Sequence, residues 1–353
     1  MSAPADLCYA PHMAGGTGLV VDARMLQHHP GVGHPERPDR LRVLLDRFDH
    51  APGLVRLGAR PATEDEIARV HAPALVELVA STAGRPHAVF DPDTRASAGS
   101  WDAARLAAGG LIELCDAVLD GQVHNGMAMV RPPGHHAEYD RAMGFCLFNN
   151  VAIAAAHLRV RGIARVAIID WDLHHGNGTQ HLFAHDPSVL YVSTHQFPFY
   201  PGTGAAEEVG EGRGAGYTLN LPFPAGFGDA EFARAFDELV RPVLRQFRPE
   251  FVLVSAGFDC DLRDPLGALE TTPGGIAAMA AACLRSAEET AGGRIAAVLE
   301  GGYDLAAIVD GVDTVLDVFR GRGDLPPLVT GNPRRLDRLA TRVRVVQSPF
   351  WHV

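Results

Sequence analysis

A short apolar run that empties into a cluster of acids and imidazoles constrains this chain more than any other stretch. Val166-Ala167-Ile168-Ile169 is followed by Asp170-Trp171-Asp172-Leu173-His174-His175, and then Gly176-Asn177-Gly178 breaks the chain. The apolar run reads as a buried strand. If the backbone stays extended beyond it, residues two apart point the same way, and Asp170, Asp172 and His174 are expected on one side. Asp172 and His174 are then candidate ligands of a divalent metal, with Asp170 one step deeper. In an open parallel α/β sheet, ligands bind in the crevice outside the carboxyl ends of the strands. A lone Asp-x-His after a core strand is more often a polar loop with a capping aspartate, so the other strands must decide.

Residues 1–40 are dense in Gly and Pro and are expected to be loops. Helical spacing begins near Pro38 with Leu41, Leu44, Leu45 and Phe48. Thr63-Glu64-Asp65-Glu66 has the spacing of a capping box, His71-Ala72-Pro73 interrupts the helix, and 84–99 reads as a polar loop. Further helices are expected at 101–119, at 149–161 with Asn149 as cap, at 230–247, at 273–290 and at about 304–320. Strands are expected at 127–130, 166–169, 189–193, 217–221, 251–255 and 295–299, with a less regular tail. Strands alternating with helices call for a mostly parallel central sheet flanked by helices on both faces. No linker or repeat divides the chain, so a single α/β domain over 1–353 is expected.

Five of these strands end in residues with chemical capability: His135-His136, Asp170 with Asp172 and His174, His195, Asp259, and Tyr303. Such residues are common one at a time. Five at the ends that a parallel sheet brings together argue for a site. Asp172, His174 and Asp259 offer one nitrogen and two carboxylates, the three-ligand set of a hydrolytic zinc site with an open position. A metal there would lower the pKa of water to about 7 and polarise a carbonyl. Iron(II) fits the same donors. Neighbouring histidines next to a metal suit general acid–base work. The phenol of Tyr303, after Gly301-Gly302, could donate to a developing oxyanion.

The formal charge of −11 leaves no electrostatic footprint for nucleic acid. It favours cationic partners such as lysine-rich peptides or polyamines, although solubility alone accounts for it equally simply. No apolar run reaches membrane-spanning length. Residues 1–16 carry neither a basic nor an apolar leader region. The five cysteines (Cys8, Cys115, Cys146, Cys260, Cys283) are scattered and odd in number, which suits free thiols. A cytoplasmic protein is expected, with no nucleic-acid or membrane partner and with homo-oligomerisation left open.

Several segments together resemble the histone deacetylase superfamily, in particular its class II enzymes and the bacterial histone-deacetylase-like amidohydrolases. They are HPERPDR at 34–40, RPPGHHAEYDRAMGFCLFNN at 131–150, DWDLHHGNGTQ at 170–180, YPGTG at 200–204, AGFDCDLRDPLG at 256–267 and LEGGYDL at 299–305. The resemblance implies an arginase/deacetylase α/β fold and zinc-dependent hydrolysis of acyl amides. It implies Asp172, His174 and Asp259 as zinc ligands and His136 as general base and acid, with His135 as its electrostatic partner. It implies Tyr303 as the group that polarises the acyl carbonyl, and Asp170 as the residue that orients His135. Asn177 stands where class I enzymes carry an aspartate behind the second histidine. Phe145 and Tyr200 match the aromatic walls of the acyl-lysine channel, Gly144 and Gly302 line it, and Asp93 falls near a rim aspartate that binds substrate backbone. Arg40 matches an arginine of an interior product channel, or makes a helix salt bridge. A structural potassium or sodium ion is implied at Asp170, Asp172, His174, Ser193 and Thr194, and a second at Phe183, Asp186, Val189 and Tyr217. Polyamine deacetylases of the family carry a glutamate where this chain has Leu266, which favours acyl-lysine peptides or proteins over small acylated amines.

The expected activity is therefore removal of acetyl or other acyl groups from lysine side chains. Three alternatives stand beside it. One is an amidohydrolase of acetylpolyamines or other small amides. Another is a non-catalytic acyl-lysine binder using the same pocket. The third, an arginase-like ureohydrolase, would want a two-metal carboxylate cluster that this pattern lacks.

Overall fold

Ten strands are present in the computed structural model, which describes residues 15–48, 51–322 and 324–353. In chain order they are β1 (Thr17–Val21), β2 (Leu54–Leu57), β3 (Ala88–Val89), β4 (Arg95–Ala96), β5 (Asn125–Met129), β6 (Val166–Asp170), β7 (Val189–Gln196), β8 (Thr218–Phe223), β9 (Phe251–Ala256) and β10 (Ile295–Leu299). Eight of them form one sheet in the order β2-β1-β5-β10-β9-β6-β7-β8, with every pairing parallel. The other two, β3 and β4, make a small antiparallel ribbon inside the stretch read as loop. Cys8 and residues 1–14 of the stretch assessed for a leader lie outside the described residues.

The sheet is parallel because its strands are buried on both faces. The residues of β5, β6, β9 and β10 are all buried, as continuous apolar runs rather than alternating ones. Helices Ser100–Leu119, Asn150–Val160, Pro273–Thr290 and Leu305–Phe319 pack against them, each burying a wide apolar face. Asn149 caps the second of these by accepting from the Ala152 N–H, and Thr63 with Glu66 forms the expected capping box. The helix expected at 230–247 is a continuous helical run with a wider π turn at Phe236–Val240.

Two expectations change. Residues 17–21 form β1, an internal strand between β2 and β5, not a loop. Its Gly18 reads as a turn signal but serves close packing: a Cβ there would stand 3.0 Å from Leu114 Cδ1 and 3.1 Å from Val123 Cγ2. The tail also contains a regular helix, Asp337–Gln347, which buries only Ala340, Val343 and Gln347 and carries three arginines, so little of it reads as core.

The strand order decides where the chemistry lies. The central neighbours β5, β10, β9 and β6 are the strands that run into His135-His136, Tyr303, Asp259 and Asp172 with His174. Four carboxyl ends thus meet in one crevice. Behind them, Glu36 is fully buried between two guanidiniums. Arg40 Nη1 donates to Glu36 Oε1 at 3.0 Å, Arg131 Nη2 donates to Oε2 at 2.8 Å, and His28 Nε2 lies 3.3 Å from Oε2. Burial disfavours the Glu36 carboxylate, but Arg131 and His28 hold it well below the usual range. This ties the 34–40 segment to the exit of β5. Glu36→Ala strands two buried cations and should cost about 3–5 kcal/mol. Urea unfolding checks this; a loss below about 1 kcal/mol, the scale of an exposed pair, would contradict it.

Candidate metal centre and active site

β6 ends at Asp170, and the chain then descends a staircase of backbone-to-carboxylate hydrogen bonds. The Asp172 N–H donates to Asp170 Oδ1 at 3.1 Å, and the His174 N–H donates to Asp172 Oδ1 at 2.8 Å. These turns, rather than continued extended backbone, direct Asp172 and His174 into the site. Asp170 turns away to His135. From β9, Asp259 accepts the Leu173 N–H at 2.8 Å. From β10, the Gly301 N–H reaches Asp172 Oδ2 at 2.7 Å. One ligand atom from each of Asp172, His174 and Asp259 falls within 4.8 Å of the other two.

Both carboxylates are fully buried. His174 Nδ1 lies 2.9 Å from Asp259 Oδ2 and 3.3 Å from Asp172 Oδ1. Burial opposes its charge, yet hydrogen bonds to these two acids raise it to about 10. Burial, and then the charge of Asp172, raises Asp259 to about 7. Two anions crowded into an apolar crevice beside an imidazole call for a cation, so the donor set fits a small divalent ion. Gly301 is part of that fit: a Cβ there would stand 2.4 Å from Asp259 Oδ2 and 2.6 Å from Asp172 Oδ2.

The histidine pair follows β5. Glu300, at the end of β10, holds its backbone, accepting the Gly134 N–H at 2.7 Å and the His135 N–H at 3.2 Å. His135 Nδ1 meets Asp170 Oδ2 at 3.0 Å, and the Tyr191 hydroxyl donates to the same oxygen. Burial opposes the charged ring, but Asp172 and Asp170 raise His135 to about 10. His136 Nδ1 instead meets the amide oxygen of Asn177 at 2.7 Å. Burial, helped by His135 and His174, holds His136 well below its ordinary value. The two neighbours are thus set apart: one ring tends to imidazolium and the other stays neutral.

Tyr303 sits at the far side. Burial lifts its phenol well above the ordinary value, so it remains a hydrogen-bond donor. Asp264 accepts the Tyr303 N–H at 2.6 Å and the Leu266 N–H at 2.9 Å, tying the segment after β10 to the rim. Arg40 is fully buried, donates to the carbonyls of Gly302 (φ +115°) and Glu300, and lies 5.1 Å over the Tyr303 ring, besides pairing with Glu36. Phe145 packs edge-on to Tyr303 at 5.9 Å, and Tyr200 edge-on to His136 at 5.2 Å. Phe199 lies 5.6 Å from His174. Phe145 has φ +68°, a conformation bulky residues rarely adopt. It is held by Thr94 Oγ1, which accepts its N–H, and by the His34 ring at 4.6 Å. Gly144 (φ +57°) lies against the His136 ring, leaving no room for a Cβ. Asp93 sits beside Thr94; its carbonyl takes His34 Nε2 at 2.9 Å, and its charge acts on Tyr200 across the mouth.

His195 does not join the others. It lies within β7, not beyond it, and bonds Ser193 Oγ and the Gly204 carbonyl behind the site, with its ring 4.7 Å from His175. Ser193 is the register partner of Asp170, and the Thr194 hydroxyl lies 3.5 Å from the Asp170 carbonyl. Phe183, Asp186 and Val189 share one turn, in which Asp186 accepts from Ser188 and its carbonyl takes the Val189 N–H. The Tyr217 carbonyl accepts the Tyr191 N–H next to it. Glu300, Asp264, Thr94, Phe199 and Glu138, whose Oε1 accepts from Asn177 Nδ2, are neighbours of the candidate site that the sequence reading did not single out. Their signal was weak: each acts through partners far away in the chain.

A family model described as the histone deacetylase domain matches residues 34–319. Histone deacetylase 15 of Arabidopsis thaliana is 42% identical over 354 residues, covering 95% of this chain and 62% of that protein. A probable deacetylase of Archaeoglobus fulgidus is 41% identical over 294 residues, covering 82% of each. Human polyamine deacetylase HDAC10 is 42% identical over 340 residues, covering 90% of this chain and 49% of the human protein. The crystal structure of the HDA15 HD domain superposes with a TM-score of 0.88 at 41% identity, covering 95% of this chain and 97% of that one. The fold is thus the arginase/deacetylase α/β fold. The chain belongs to the histone deacetylase family. Among the described residues, no helix is long and apolar enough to cross a membrane, and Cys115, Cys146, Cys260 and Cys283 are free and buried.

Gly301→Ala should abolish stoichiometric uptake of a divalent ion while leaving helix content unchanged. Elemental analysis beside circular dichroism measures both; one bound ion per chain in the variant would contradict the geometry.

Proposed function

We propose that this chain is a zinc-dependent deacylase that hydrolyses the Nε-acetyl amide of lysine side chains. The observation that carries the proposal is the convergence, at four adjacent strand ends, of a three-ligand metal set, a neutral His136 and a protonated Tyr303. Asp172, His174 and Asp259 would hold the zinc, and iron(II) would suit the same donors. When bound there, the ion supplies a Lewis acid for the amide oxygen and makes water more acidic.

The chain's own residues do the rest. Phe145 and Tyr200 flank the four-carbon stem and keep water away from the amide. The Tyr303 hydroxyl donates to the acyl oxygen as negative charge develops on it. His136 takes the proton of the attacking water on Nε2 and returns it to the amine nitrogen as the C–N bond breaks. The Asn177 amide oxygen holds the Nδ1–H of His136 throughout. His135, paired with Asp170, provides a positive partner close to the developing charge. Asp93 at the mouth would accept from substrate backbone. Structural potassium or sodium ions at Asp170, Asp172, His174, Ser193 and Thr194, and at Phe183, Asp186, Val189 and Tyr217, belong to the same proposal and rest on the family resemblance alone. One continuous sheet supports reading the chain as a single catalytic domain.

The relatives include both histone and polyamine deacetylases, so substrate rests on the rim. Leu266 is half-buried there and presents no charge to a distant ammonium. Acetyl-lysine peptide should therefore be hydrolysed with the higher kcat/KM, and Leu266→Glu should raise the ratio for acetylspermidine. A head-to-head assay tests this, and a wild-type preference for the polyamine would overturn the substrate assignment. Tyr303→Phe should lower kcat by about a hundredfold or more with the fold intact; a near-wild-type kcat would remove Tyr303 from the mechanism.

A further inference from the structure

Asn177, the first residue of the helix Asn177–Phe183, stands between His136 and Glu138. Its Oδ1 lies 2.7 Å from His136 Nδ1, and its Nδ2 donates to Glu138 Oε1 and, at 3.5 Å, to the weak acceptor Met143 Sδ. Glu138 Oε1 also receives His181 Nδ1 at 2.8 Å, from one turn further along the same helix. Asn177 and Glu138 are both buried, so bulk water does not substitute for either contact.

An amide side chain has nearly the same shape after a half-turn about its last bond, so only its partners decide which end carries the oxygen. A carboxylate has no proton to give. With Glu138 on one side, the NH2 of Asn177 must face it, because the opposite orientation would press an amide oxygen against a carboxylate. The oxygen is then left for His136. An acceptor at that point requires the proton of the neutral ring on Nδ1, which leaves the Nε2 lone pair free toward the site. Turning the amide over would present NH2 to Nδ1, draw the lone pair there and put the proton on Nε2. A ring in that state cannot accept a proton from water.

We infer that Glu138 is a positioning residue that sets the tautomer of His136 by fixing the orientation of the Asn177 amide. His135 needs no such device, since Asp170 is a carboxylate in direct contact with its Nδ1 and accepts whichever way it turns. The kinetic part of this inference rests on the deacylase reading; the tautomer itself does not.

The test uses protein labelled with 15N at histidine, with the His136 signals assigned by their loss in His136→Ala. Wild-type His136 should be the Nδ1–H form. Glu138→Met, which keeps the side chain's length without a strong acceptor, should give a mixture with the Nε2–H form. Glu138→Gln should also give a mixture, because a glutamine can itself turn over and no longer dictates the orientation. It covers the case in which Glu138→Met does not fold. A pure Nδ1–H population in the variant that folds would overturn the inference, even if no acetylated amine proves to be a substrate. If the wild type is active, Glu138→Met should lower kcat about tenfold or more with KM little changed, since the wrong tautomer removes the base and not the pocket. In an Asn177→Asp background the carboxylate meets His136 directly, and the same substitution should cost nothing or restore activity by removing a repelling neighbour. An equal loss in both backgrounds would show a merely structural role and would overturn the inference.

Discussion

Two carboxylates, Asp172 and Asp259, are held close together in an apolar crevice, and the surrounding structure exists largely to make that tolerable. Isolated buried anions are costly. Here the backbone supplies part of the compensation: the N–H groups of Leu173, His174 and Gly301 all donate to them. The pairing of β6 with β9 and of β9 with β10 places those donors, so the sheet register and the local charge balance are one constraint. Gly301, with no Cβ, lets the β10 exit approach closely enough to take part. What remains is a surplus of negative charge that a divalent cation would neutralise.

The same surplus differentiates the histidines. His135 lies 3.7 Å from Asp172 Oδ1 and is backed by Asp170, so negative charge flanks it. His136 is backed by an amide, and its aromatic neighbours Tyr200 and His174 give no compensating anion. Adjacent residues of one type thereby acquire different protonation behaviour: the surroundings favour a charged ring at His135 and a neutral ring at His136. Deeper in, Arg40 of the Glu36–Arg40–Arg131 cluster and Asp264 fix the segment that carries Tyr303, while Thr94 and His34 hold Phe145.

Much of this was legible in the sequence because its physics is local. A strand buried on both faces is a continuous apolar run, so β6, β9 and β10 stood out. The helix Pro273–Thr290 was delimited by a Pro at its start and apolar spacing through its length. The candidate metal ligands, the histidine pair and Tyr303 were all singled out because they lie just past such runs. β1 was missed because glycines needed for close packing resemble glycines of turns. His195 was grouped with the site because the end of β7 was placed too early; three further residues, Thr194 to Gln196, stay in the sheet and carry it behind the crevice. The supporting carboxylates were invisible for another reason. Glu300 meets Gly134 across 166 residues, and Glu36 meets Arg131 across 95, so no short pattern records their partners. The turns from Asp170 to His174 likewise replace the extended backbone that was supposed there, since side-chain-to-backbone turns leave the residue types unchanged.

The most direct measurement is a zinc titration of metal-stripped protein while hydrolysis of an acetyl-lysine peptide is followed. The account predicts no turnover without metal and a linear rise that stops at one zinc per chain. Full activity in the metal-free protein, or no hydrolysis of any acetylated amine with one zinc bound at the Asp172–His174–Asp259 triad, would contradict it.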